Sequence, residues 1–150
     1  MTGEHPEHEH HGHDHAHHHG DEDGHFHGDF DAMAETWDDD PAKVERARVA
    51  AERIVERVAP TPATRLLEYG AGTALVAQRL AGHVGPMTLA DPSAGMRAAM
   101  AAKVEAGTLP ADVRIVDLDL ATSPRPADRY DLVVTVQVLH HVTDLDAVLA

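Results

Sequence analysis

Two glycines one residue apart, Gly70 and Gly72, follow the carboxylate Glu68 at the end of the apolar run Arg65-Leu66-Leu67-Glu68-Tyr69. Glycines in such a turn lack the Cβ atoms that would hold a ligand away from the backbone. A helix starting just after the turn adds its N-terminal amides to the same place. The chemistry on offer is binding: a cradle for a nucleotide-like molecule. Further carboxylates recur downstream. Asp91, 19 residues after Gly72, is placed to accept both hydroxyls of a ribose, and Asp117 could accept a hydrogen bond from an exocyclic amine. Any one of these acids is more simply a helix cap or loop residue; three acidic strand ends in one frame point to a site. His140 and His141 are the only histidines near that site, and they titrate in the range a general base needs. The simpler reading is that one packs or bonds to backbone while the other faces solvent. His83, in a Gly-His-Val-Gly turn, reads as structural.

A second chemistry lies at the other end of the chain. His8, His10, His13, His15 and His17 stand in a segment where histidine often alternates with another residue. Imidazoles two apart share one side of an extended chain, so several can reach one Zn²⁺, Ni²⁺ or Cu²⁺ ion. Adventitious Zn or Ni affinity is expected there. Residues 1–40 hold 13 of the 26 acids and no Lys or Arg; the other 110 residues carry 13 acids against 12 bases. Eleven of the 14 histidines fall between His5 and His27. Such a segment is too poor in apolar residues to offset the entropy of ordering. Residues 1–28 are therefore expected to be a disordered, acidic, His-rich tail, and residues 29–150 the domain.

The elements that must position the candidate residues follow from periodicity. Phe30, Met33, Ala34 and Trp37 recur on one helical face, with Asp29 as N-cap. They form either an ordinary amphipathic helix or a flap over the pocket. Asp40-Pro41 starts a second helix with an apolar stripe of Val44, Ala47, Ala51, Ile54, Val55 and Val58; Pro60 and Pro62 end it. Strands and helices then alternate: strands at 65–69, 86–90, 113–118 and 131–138, helices at 73–81 and 93–106, and another opening at Asp144. This order implies an α/β fold, a doubly wound parallel sheet with ligands at the carboxyl ends of its strands. The fourth strand is nearly all apolar and β-branched, as a strand buried on both faces should be.

Composition narrows the classes. With no cysteine, disulfides and thiolate metal sites are excluded. No apolar run reaches the roughly 18 residues of a membrane span, and no secretory signal pattern opens the chain; a cytoplasmic protein is expected. A net charge of −14 repels phosphate backbones, so nucleic acid is not the expected partner. A dinucleotide fingerprint needs a small residue where Leu75 stands, and no Gly-Lys-Ser/Thr follows the turn. A cofactor without phosphates fits better.

At this point the residues resemble the class I S-adenosylmethionine-dependent methyltransferases, particularly the small-molecule enzymes of the ubiquinone-biosynthesis-like group. Leu67-Glu68-Tyr69-Gly70-Ala71-Gly72-Thr73-Ala74 is similar to their first motif. Leu89-Ala90-Asp91-Pro92-Ser93-Ala94-Gly95-Met96 is similar to the second. Tyr130-Asp131-Leu132-Val133-Val134 through Leu139-His140-His141-Val142 resembles the fourth, and Phe30 to Trp37 resembles the helix covering the pocket. The resemblance implies a Rossmann-like sheet and S-adenosyl-L-methionine as cofactor. It implies that Gly70 and Gly72 border the methionine part, Glu68 holds its ammonium and Asp91 takes the ribose hydroxyls. Asp117 and the backbone of Leu118 would read the adenine, with Asp119 as the competing choice, and Val136 would line the methyl-donor side. Ala74 stands where the family has its third glycine, and weaker binding is the most this should cost.

The family sheet has seven strands, of which this chain supplies the first four. The expectation is a fragment of a longer chain, with strand four left as an exposed apolar edge and much of the acceptor pocket missing. Two functions remain open. One is methylation of an unidentified small molecule; the other is a non-catalytic metal-binding or metal-responsive protein working through its tail. Oligomeric state is not legible.

Overall fold

The structure, a computed structural model of the chain, describes residues 29–142 and 144–149. The tail expected to be disordered, with His8, His10, His13, His15 and His17, lies outside the described residues. Residues 29–33 are helical and run into a 3₁₀ helix over Ala34–Asp39. Asp29 thus lies within the helical segment and does not cap it. Asp40 does cap: its side chain accepts from the Ala42 amide at 2.8 Å, and Pro41 stands first in α1, Pro41–Val58. Ala47 and Ala51 are buried on the expected stripe, whereas Val58, at the frayed end, is half exposed. Ala59, in a left-handed conformation, ends the helix before the prolines.

The alternation then unfolds as expected, with shorter elements: β1 (Leu66–Tyr69), α2 (Leu75–Leu80), β2 (Met87–Ala90), α3 (Ala94–Glu105), β3 (Arg114–Val116), β4 (Leu132–Val134), a 3₁₀ turn at Leu139–His141 and α4 (Leu145–Leu149). All pairings are parallel, in the order β3-β2-β1-β4. Successive side chains alternate faces. Leu66, Met87 and Leu89 face α1, α2 and α3 in one core cluster. Leu67, Tyr69 and Ala90 face Leu118, with Tyr130 and Val148 packed alongside. Both faces of the sheet are therefore covered, which is the doubly wound arrangement.

The fourth strand is where the expectation fails. It stops at Val134 rather than at Val138, because Gln137 takes a left-handed conformation, φ +60°, that no strand continues through. Nor is it buried on both sides: Val133 is 58% exposed, since β4 is an edge strand among the described residues.

Candidate functional site

β1 and β2 end side by side, and the turn after β1 is tied to β2 at once. The Gly70 and Ala71 amides donate to the Ala90 carbonyl at 2.8 and 3.0 Å, and the Gly72 amide donates to Asp91 Oδ2 at 2.8 Å. Asp91 Oδ1 accepts from the Ser93 amide at 2.9 Å, while the Ser93 hydroxyl caps α3 at Met96. The carboxylate at the end of β2 thus joins the glycine turn to the turn that opens α3. Its side chain has a direction fixed by two amides.

A close approach requires glycine at Gly70, whereas at Gly72 the requirement comes from the backbone angle. A Cβ on Gly70 would stand 2.3 Å from Val138 Cγ2, and one on Gly72 would stand 3.9 Å from Trp37 Nε1. Both residues have positive φ, +68° and +57°, where side chains are strained. At Gly70 the bared space is filled by Val138, rather than simply held open for a ligand.

Glu68, Gly70, Gly72 and Val136 come together in one cleft of about 90 Å³, walled further by Trp37, Lys43 and Gln137. Small-molecule pockets usually hold about 300 Å³ or more, so this cleft is small by comparison. Glu68 is 3% exposed, and its Oε2 has no hydrogen-bond partner. Burial pushes its carboxyl up to about 8, with Asp91 adding in the same direction; a bond to the Ala77 backbone and the Lys103 ammonium oppose the rise. A buried polar atom without a partner is costly, and a cationic group placed here would find one.

Asp91 and the remaining expected residues do not wall this cleft. Asp117 is exposed and ion-paired with Arg97 at 3.0 Å; Arg97 also donates to the Asp91 and Pro92 carbonyls. Leu118 is buried. Asp119 is occupied with its own turn, accepting from the Ala121 amide at 2.9 Å and the Thr122 hydroxyl at 3.0 Å. The Tyr69 hydroxyl donates to it at 3.4 Å, and burial raises that phenol above its ordinary range. His140 and His141 stack on each other with ring centroids 3.7 Å apart, beside Phe30, and do not wall the cleft. Burial and the neighbouring His140 lower His141. Among the described residues no group of three or more His, Asp or Glu is placed to hold a metal.

Sequence reasoning missed Asp31, Asp38, Thr73 and Lys103, which fasten the N-terminal segment to the two turns. The two aspartates sit in an acidic run that reads as solvated. Lys103 reads as a favourable charge in the last turn of a helix. Their partners are distant in sequence, so spacing carried no signal.

A model of the family described as methyltransferase domain matches residues 66–150, which include the glycine turn, the three acidic strand ends and the His140-His141 turn. The chain belongs to this methyltransferase-domain family. Its parallel sheet with flanking helices is the Rossmann-like class I methyltransferase fold. Over 135 residues the chain is 29% identical to the ubiquinone biosynthesis O-methyltransferase of Bradyrhizobium sp. (strain ORS 278), covering 80% of this chain and 52% of that one. The DhpI–SAH complex matches with a TM-score of 0.61 at 27% identity, over 81% of this chain and 55% of DhpI. The DhpI–SAM–HEP complex matches at 25% and 0.62, over 81% and 53%. A Methanococcus maripaludis protein described as an S-adenosyl-L-methionine-dependent methyltransferase shares the fold, with a TM-score of 0.63 at 20% identity over 82% and 54%. This methyltransferase-domain chain thus spans about half the length of the relatives it matches. No described helix is long and apolar enough to cross a membrane.

Proposed function

We propose that this chain is the cofactor-binding part of a cytosolic enzyme that transfers a methyl group from S-adenosylmethionine to a small molecule. The observation that carries the reading is Glu68: a buried carboxyl with a partnerless Oε2 in the wall of a glycine-lined cleft. The relatives point the same way, since DhpI is complexed with SAM and with SAH and the Bradyrhizobium protein is an O-methyltransferase. In this reading Glu68 takes the ammonium of the cofactor, Gly72 lets its methionine part approach the backbone, and Gly70 borders that part while Val138 fills the space its missing Cβ leaves. Asp91 accepts the ribose hydroxyls. Asp117 and the Leu118 amide meet the adenine; the inward-turned Asp119, already bonded to three groups, is the poorer choice. Val136 lines the side from which the methyl leaves.

S-adenosylmethionine brings an already activated methyl group, so the chemistry is the cofactor's. What the chain's residues supply is alignment and exclusion of water, which can account for much of a rate enhancement. A general base is optional. His140 and His141 stand in the 3₁₀ turn that follows β4, and a base must lie within reach of the acceptor's proton.

Calorimetric titration of S-adenosylhomocysteine tests the reading. The chain should bind it, and Asp91→Ala should weaken binding by about tenfold or more, the worth of a charged hydrogen-bond acceptor. Circular dichroism must show the variant folded, because Asp91 also holds the Gly72 and Ser93 amides. Undetectable binding by the wild-type chain, or equal binding by the two proteins, would refute it.

A further inference from the structure

Lys103 sits in the last turn of α3 with its side chain 16% exposed. Its ammonium meets acceptors from three separate parts of the fold: Asp38 Oδ2 at 2.6 Å, the Thr73 carbonyl at 2.6 Å and Gln78 Oε1 at 2.9 Å. An ammonium has three donors, so these partners use them all. Charge-assisted bonds in a sheltered place are stronger and less screened than surface pairs.

The partners matter more than the count. Thr73 follows Gly72 directly and is 2% exposed; besides its carbonyl on Lys103, its hydroxyl donates to Asp38. Asp38 belongs to the N-terminal 3₁₀ helix, one residue after Trp37, whose indole lies over Gly72. The glycine turn is thus held from below by α3 and from above by the N-terminal segment, and both holds converge on one cation. A second attachment lies at the other end of that segment. Asp31 accepts from the Ser93 hydroxyl and from the Gly95 amide at 2.8 Å. Its backbone presses so close that a Cβ on Gly95 would stand 2.7 Å from Asp31 Cα. Fastened at both ends, the segment covers a cleft of only about 90 Å³.

We propose that Lys103 is a positioning residue of the cofactor site: its ammonium latches Asp38 of the N-terminal cover to the Thr73 carbonyl of the glycine turn. It sets the shape of the turn and keeps the cover down on whatever the turn holds. The affinity part of this inference rests on the cofactor reading above; the latch itself does not. Lys103 touches neither the acceptor nor the reacting atoms, so its loss acts through the turn and the cover.

The single tryptophan of the chain makes the latch measurable without any ligand. In the full chain, Lys103→Met and Asp38→Asn should each raise acrylamide quenching of Trp37 fluorescence. Each should also weaken S-adenosylhomocysteine binding about tenfold, mainly through faster dissociation. Lys103→Arg, which keeps the charge, should restore most of both. If Lys103→Met fails to fold, Asp38→Asn decides, because Asp38 is 38% exposed. Unchanged quenching in a folded variant would overturn the latch. A more accessible Trp37 with unchanged affinity would overturn the positioning role. Should the wild-type chain bind no S-adenosylhomocysteine, the cofactor reading falls, while the quenching comparison still decides the latch.

Discussion

Glu68 carries its proton across a range where ordinary carboxylates have lost theirs. Burial pushes it up to about 8 from an ordinary value of 4.5, so between those values the folded chain holds a proton that the unfolded chain releases. Stability from this group is therefore full below about 4.5 and lost as pH rises through 8. The difference is on the order of 4 kcal/mol. Urea titrations at pH 5 and pH 9 should show that loss in the wild type and a much flatter response in Glu68→Gln. Binding a cation has the opposite preference, since it favours the carboxylate. At pH 7, uptake of S-adenosylhomocysteine should release close to one proton, seen as a dependence of calorimetric heat on buffer ionisation enthalpy. Ala74 stores strain of another kind. The sequence expectation placed the effect of its methyl on binding; the structure places it on the backbone, at φ +66° in the left-handed region. Ala there costs roughly 1–2 kcal/mol, partly offset by the entropy that glycine adds to the unfolded chain. Ala74→Gly should raise unfolding free energy by about 0.5–1 kcal/mol, read from the urea midpoint.

Gly95 shows how one element holds another. It opens α3 with no Cβ because the Asp31 backbone lies where one would stand. Gly95→Ala should lift that end of the cover, red-shifting Trp37 emission while α3 keeps its helical signal; an unshifted spectrum would mean the segment can repack around a methyl. Much of this scaffold was legible in sequence. Apolar runs bounded by turn residues and the Asp40-Pro41 start marked β1, β2 and α1, and the helix read over 93–106 is α3, because local chemistry determines those boundaries. The acidic strand ends were legible too, since the strand pattern put Asp91 at the end of β2; its bond to the Gly72 amide was not. What stayed hidden was set by contacts between distant segments. The early end of β4 comes from a left-handed Gln137 in a run that otherwise reads as strand. Lys103 acquires its meaning only when α3 folds against the glycine turn and the N-terminal cover.

The molecule as a whole is divided by charge and by span. Half of its acids lie in the first 40 residues, and residues 66–150 match a domain family, with the chain covering about half the length of the relatives it matches. The His-rich tail and the sheet should therefore be separable in their chemistry. Zn²⁺ or Ni²⁺ titrated into the full chain should bind, whereas a chain beginning at Asp29 should not, because the described residues gather no metal-holding group. Equal binding by both would move the metal site into the domain. In the function proposed above, the glycine turn, Glu68 and Asp91 recognise a nucleoside that bears an ammonium and no phosphate. One competition experiment tests it most directly, in which S-adenosylhomocysteine, NAD⁺ and adenosine are titrated against the same chain. The account predicts that S-adenosylhomocysteine binds at least tenfold tighter than adenosine, through the ammonium that Glu68 receives, and that NAD⁺ does not bind measurably. NAD⁺ binding as tightly as S-adenosylhomocysteine, or adenosine matching it, would contradict the account.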